Sequence, residues 1–340
     1  MKKVFLIVAA VAAMLATGFT ACKSNSPQPP EPPKEVDVYV AGYDNSGAAK
    51  VAKVWKNGKD LYSLTDGTNN AAASSVFVVG EDVYTAGWES NGTEDVAKVW
   101  KNSEELYALT DGSKYANAES IFVADDKVYT AGYEGIVAKL WKDKSATNLT
   151  DGSNNAAANS VFVAGGNVYA AGWESNGTNN VAKVWKNGSE LFALTNGSNS
   201  AVANSVFVVG EDVYTAGYQI IDTNIVAKVW KSKMAVYQTD DSKKAIAQSV
   251  YVVGENVYMA GSELEGLNEI AKVWKNGEEL YKLANSAIIM SIVVYNGDIY
   301  AAGFEVEGAN RVAKVWKNGK ELYKLADKGE ATSIFIAERR

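Results

Sequence analysis

Ala97-Lys98-Val99-Trp100-Lys101-Asn102 is the stretch that decides how this chain is read, because six further copies of its core surround it. Tryptophan stands at Trp55, Trp100, Trp141, Trp185, Trp230, Trp274 and Trp316. Each copy is preceded by Ala-Lys and one aliphatic residue and followed by Lys, and successive copies lie 41 to 45 residues apart. Self-similarity at that period is the mark of a repeat architecture, so residues 36–340 form one body rather than two or three ordinary domains.

One unit, taken from Ser205, runs Ser-Val-Phe-Val-Val, then Gly-Glu-Asp, then Val213-Tyr-Thr-Ala-Gly-Tyr218. A loop, Val226 to Lys231, a short turn and Met234 to Thr239 complete it. Its apolar segments are short, rich in β-branched and aromatic residues and bounded by Gly, Asn and Asp, which predicts four strands and no helix. Gly-Glu-Asp joins the first strand to the second. Asn-Gly, at Asn57, Asn187, Asn276 and Asn318, joins the third to the fourth and is the strongest short hairpin signal. Four antiparallel strands repeated seven times make an all-β, seven-bladed propeller. The ends fit a closed ring: Val36 to Tyr43 matches a second strand, and Thr332 to Ala337 matches a first strand and then stops. The C-terminal strand is expected to complete the blade that the N-terminal strands begin, removing a free edge.

Ahead of the repeats, residues 1–21 read as an export signal. Lys2 and Lys3 precede an apolar run from Val4 to Ala16 that is short for a bilayer span, and small residues precede Cys22. Cys22 is the only cysteine, which excludes an internal disulfide. The segment resembles a bacterial lipoprotein signal, and that resemblance makes Cys22 the candidate lipid attachment site; the alternative is an ordinary secretory signal with an incidental cysteine. Residues 22–35 hold all five prolines and read as an extended tether. Composition narrows the chemistry. There is no histidine, and the formal charge is −7, which argues against a nucleic-acid partner held through phosphates.

Two tight connections per blade leave the other two together on the opposite face, where function is expected. The loop between second and third strands reads as seven residues in six blades and shrinks to Glu134-Gly135-Ile136 in blade 3. The second strand ends in Tyr43, Trp88, Tyr133, Trp173, Tyr218 and Phe304, with Ser262 the exception, and an acid or amide follows each time. An aromatic beside a carboxylate suits a sugar ring, while large side chains between blades also serve packing. Trp88 with Glu89 and Trp173 with Glu174 are the leading ligand candidates, expected to flank a notch over blade 3. The recurring lysines, Lys53 to Lys314, either join salt bridges or bind anions. Asp-Gly loops at Asp66, Asp111 and Asp151 lack calcium-loop spacing and read as Asx turns, so no metal and no cofactor is expected.

The chain resembles bacterial envelope lipoproteins with propeller repeats of the form Ala-Lys-Val-Trp-Lys-Asn-Gly. Phe19 departs from the leucine usual three places before the lipidated cysteine. The resemblance is specific for fold and envelope anchoring, not for activity. The first reading is a membrane-anchored, monomeric propeller that binds an envelope protein or a glycan without catalysis. A multivalent lectin is the alternative reading, and a glycosidase ranks last.

Overall fold

The computed structural model describes residues 35–339; the export signal, Cys22 and the proline segment lie outside the described residues. Within them the chain forms seven four-stranded antiparallel sheets. Blade 2 is typical, with strands Ala71–Val79, Asp82–Ser90, Asp95–Lys101 and Glu104–Ala108 from the axis outward. Blades 3 to 7 begin with the inner strands Ala116–Ala124, Ala156–Ala164, Ala201–Val209, Ala245–Val253 and Ala287–Tyr295. Blade 1 joins Val36–Asp44, Val51–Lys56 and Lys59–Ser63 to the closing strand Gly329–Glu338. The closure is the one the sequence predicts, and in it Val38 lies opposite Ile336 and Val40 opposite Ile334. Polar bonds lock it: Arg339 Nε donates to Asp37 at 3.0 Å, and Lys56 Nζ lies 2.8 Å from the same carboxylate.

Each position of the repeated motif has one structural task. The tryptophans are almost fully buried, and those of blades 1 and 2 pack against the core of the preceding blade. The second lysine lies over a tyrosine of its own second strand in all seven blades, 5.0–5.6 Å from the ring centre. The turn residue that follows has φ of 49–58° in every blade, which asparagine tolerates better than most side chains. Its side-chain oxygen also accepts the N–H of Val38, Val83, Val128, Val168, Val257 or Ile299, at 2.8–3.1 Å. Asp143 takes this role in blade 3, whereas Ser232 in blade 5 is too short for it.

The inner strands start four residues earlier than the sequence reading placed them, and each carries a bulge just before its serine. The bulge turns an N–H out of its own sheet. A serine of the preceding blade accepts it: Val76 donates to Ser333, Ile121 to Ser75, Val161 to Ser120 and Val206 to Ser160. Val250 donates to Ser205, Ile292 to Ser249 and Ile334 to Ser291, so seven bonds of 3.1–3.3 Å close a ring about the axis. Two residues beyond each serine, Phe335, Phe77, Phe122, Phe162, Phe207 and Tyr251 form an arc with centroids 4.6–5.1 Å apart. Val293 holds the seventh place.

Candidate functional site

The loop face is less loop than the sequence suggests. In blades 5, 6 and 7 the second and third strands continue into two-residue turns at Asp222-Thr223, Gly266-Leu267 and Gly308-Ala309. Blades 2 and 4 keep short loops, Asn91–Glu94 and Asn176–Asn179, in which Asn91 and Asn176 accept backbone N–H groups of their own loop. Blade 3 turns at Gly135.

Successive residues of a strand project from opposite faces of the sheet, and this separates each aromatic from the acid after it. Trp88 lies opposite Ala97, which packs against blade 3. Glu89 is on the other face with Lys98 and Trp100, toward blade 1. Blade 4 repeats this: Trp173 lies opposite Ala182 on the side of blade 5, while Glu174 bonds Lys183 on the side of blade 3. Both tryptophans therefore turn in the same rotational sense. Trp88 is on the side toward blade 3, whose Glu134 and Lys139 form an ion pair, and Trp173 is on the side toward blade 5, where Lys228 bonds Gln219. They do not face each other across blade 3.

At five of the seven rim positions the second-strand residue is matched in size by the inner-strand residue beside it. Trp88 pairs with Ala72, Trp173 with Ala157, Tyr218 with Val202, Phe304 with Ile288, and Ser262 with Ile246. As one side chain grows the other shrinks, the behaviour of a filled space between blades. Phe304 is only 4% exposed, and the Arg311 guanidinium covers it at 4.7 Å. Tyr43, Trp88, Tyr133, Trp173 and Tyr218 are half-buried. Burial raises the Tyr43, Tyr133 and Tyr218 phenols above their ordinary range, helped by Glu330 at Tyr43 and by Tyr115 and Glu119 at Tyr133.

The recurring lysines are bound within their own blades. Lys98 lies 2.7 Å from both Glu89 and Glu105, and Lys183 lies 2.6 Å from Glu174 and 2.7 Å from Glu190. Lys139 bonds Glu134 at 2.5 Å and Lys53 bonds Asp60 at 2.6 Å. Lys272, 1% exposed, holds Glu263, Glu265 and Glu279 at 2.7–2.8 Å. Lys314 holds Glu305, Glu307 and Glu321 at 2.6–3.0 Å. Lys228 is the exception: its partner is the neutral Gln219 at 2.9 Å, and burial pushes its pKa down. These contacts give the lysines a structural role, a wedge charge neutralised where it enters the blade.

Sequence reasoning missed a further group, at the inner end of blade 3. Tyr115 stacks at 5.8 Å on Tyr133 and stands beside Asp95, whose carboxyl burial raises. Below them Asn117 Nδ2 donates to Glu119 Oε1 at 2.8 Å. Glu119 occupies the bulge, where other blades have Ser74, Asn159, Asn204, Gln248, Met290 and Thr332. The signal was a single acid in a column of neutral residues, hidden while the strand was thought to begin later.

A cleft of about 510 Å³ opens between blades 5 and 6 on the loop face, lined by Asn224, Ser242, Lys243, Lys244, Leu264 and Glu265. Asp66, Asp111 and Asp151 each accept the N–H two residues on, at 2.8–2.9 Å, as Asx turns do. Among the described residues no three acids are grouped to hold a metal ion.

No protein-family model matches the chain, and no curated protein matches it. Solved structures do. The WD40 β-propeller domain of Doa1 is 16% identical, with 81% of this chain and 83% of that one covered and a TM-score of 0.47. The Dos1 propeller is 12% identical over 86% and 85%, with a TM-score of 0.48. The dihydro-heme d1 dehydrogenase NirN, in complex with DHE, is 9% identical over 88% and 67%, with a TM-score of 0.46. The chain is a seven-bladed β-propeller; its blade count and closure rest on its own strand pairing.

Proposed function

We propose that this chain is a non-catalytic binding or scaffold module of a bacterial envelope, anchored by lipid at Cys22, that engages a protein through its loop face. The observation that carries the reading is where the repeat breaks. The motif residues are buried or engaged within the propeller, with Ser232 the exception at the turn, while the loop face differs from blade to blade. There Tyr115, Ile136, Leu267 and Val306 are 48%, 45%, 100% and 42% exposed. Apolar side chains turned to water at some blades only suit one irregular protein surface better than seven equal small ligands. The glutamates that follow the second-strand rim residues are held by lysines, which argues against the glycosidase reading.

The test uses the purified full-length protein and detergent-solubilised envelope. Leu267→Glu and Ile136→Glu should each abolish co-purification of a specific envelope protein. Met234→Glu should not, since Met234 starts an outer strand next to the third-to-fourth turn on the opposite face. Loss with Met234→Glu alone would overturn the choice of face. One arrangement favours the lectin as a second reading: Trp88 is on the side toward blade 3, whose Glu134 and Lys139 form an ion pair. Binding of the same sugar at several equal sites on a glycan array would support it.

A further inference from the structure

The bulge residues of the inner strands do more than fill the axis. Asn159 Nδ2 donates to the Ala203 carbonyl of blade 5 at 2.9 Å, and Asn204 Nδ2 donates to the Ala247 carbonyl of blade 6 at 2.9 Å. Thr332 Oγ1 reaches the Ala73 carbonyl of blade 2 at 2.7 Å. Each side chain crosses to the next inner strand and bonds the carbonyl just ahead of the next bulge. Blade 3 places Glu119 at this position, and the corresponding carbonyl of blade 4 belongs to Ala158. A carboxylate cannot donate. Ionised, Glu119 would set an acceptor toward an acceptor; protonated, it carries a donor like those with which Asn159, Asn204 and Thr332 make this bond.

We propose that Glu119 is a proton-operated latch between blades 3 and 4, its neutral carboxyl donating to the Ala158 carbonyl and its ionised form releasing it. The surroundings favour the neutral form. Among the described residues no lysine or arginine pairs with Glu119, in contrast to the acids beside the rim aromatics. The titratable groups on its side are Tyr133 of the adjacent second strand and, further toward the mouth, Tyr115 and Asp95. The flanking bulge residues Ser74 and Asn159 do not titrate. Asn117 donates to Oε1 of the Glu119 carboxyl and itself accepts from Ser74 Oγ at 3.3 Å, so only one of the two carboxyl oxygens is engaged by Asn117. Glu119 is half-buried by surface area, and its desolvation raises the carboxyl from 4.5 to about 7, against the Asn117 bond, which lowers it.

For an acid raised on folding, the folded state holds the proton where the unfolded state has lost it. Stability is then full below pH 4.5, falls as pH rises from 4.5 to about 7, and is level above. The folding equilibrium constant should weaken on the order of a hundredfold across that window. The experiment compares the full-length protein with Glu119→Gln, whose amide donates at every pH, by urea denaturation from pH 5 to pH 8. The wild type should lose stability with rising pH, and Glu119→Gln should lose this slope and exceed the wild type at pH 8. A carbon-detected NMR titration of the wild-type Glu119 carboxyl covers a variant that fails to fold. A midpoint near 4.5, or an equal slope in both proteins, would overturn the latch.

Discussion

Replacing Lys272 by methionine probes the claim that the motif lysines are structural. Lys272 is 1% exposed and Glu263 beside it 5% exposed, with Glu265 and Glu279 completing the cluster. Methionine fills much of the same space but strands the buried Glu263 carboxylate, leaving only Lys243 at 3.2 Å, a half-exposed partner. Breaking a buried pair by removing one member costs about 3–5 kcal/mol. Lys228→Met is the matched control. Lys228 occupies the same position in blade 5 but holds only neutral Gln219, and burial already disfavours its charge. Removing it strands no carboxylate, so the change should be neutral or slightly stabilising, within about 1 kcal/mol. Urea denaturation at pH 7 with unchanged m-values gives both numbers. Equal losses in the two variants would refute the argument, because the charge of the partner would then make no difference.

Thr85, Thr130 and Thr215 bury hydroxyls with no hydrogen-bond partner, opposite Trp100, Trp141 and Trp230. Other blades place Val40, Ala170, Met259 and Ala301 there, so each Thr→Val change should gain about 1 kcal/mol in a thermal melt, and a loss would reveal an unseen partner. Burial pushes the Asp37 carboxyl up, but bonds from Lys56, Asn57 and Arg339 prevail and hold it at about 2. Its stabilisation is present above the ordinary 3.8 and lost as pH falls toward 2, so Asp37→Asn should lower stability at pH 7 by about 1 kcal/mol, after screening of the exposed partners, and flatten the acid limb of the pH profile. Cys22→Ser should move the protein from the membrane fraction to the soluble fraction, or stall its processing; unchanged retention after a detergent-free wash would refute the lipid anchor.

The seven blades and their closure were legible because the motif states both period and register: a buried tryptophan, a hairpin asparagine and a C-terminal half-unit leave one arrangement. What was not legible depends on neighbours. Period-two alternation already places Trp88 and Glu89 on opposite faces, but only the assembled ring says that Trp88 looks toward Glu134 and Glu89 toward Tyr43's blade. The size match of Trp88 with Ala72 required the bulge, which shifts the inner strand by one residue and defeats simple alternation. The loop lengths misled for a different reason. Stretches such as Gln219 to Asn224 are polar enough to read as loops, yet they pair as strand, with Ile220 opposite Ile225. Glu119 could have been noticed as a lone acid in its column, though its role depends on the carbonyl facing it.

The most direct test of the central claim is the stoichiometry of the captured complex, measured by native mass spectrometry with photo-crosslinkers placed at Ile136, Leu267 and Met234. A binding module working through one asymmetric face predicts one partner per propeller, with crosslinks from Ile136 or Leu267 and none from Met234. Several equivalent ligands per propeller, or crosslinks from Met234 alone, would contradict it.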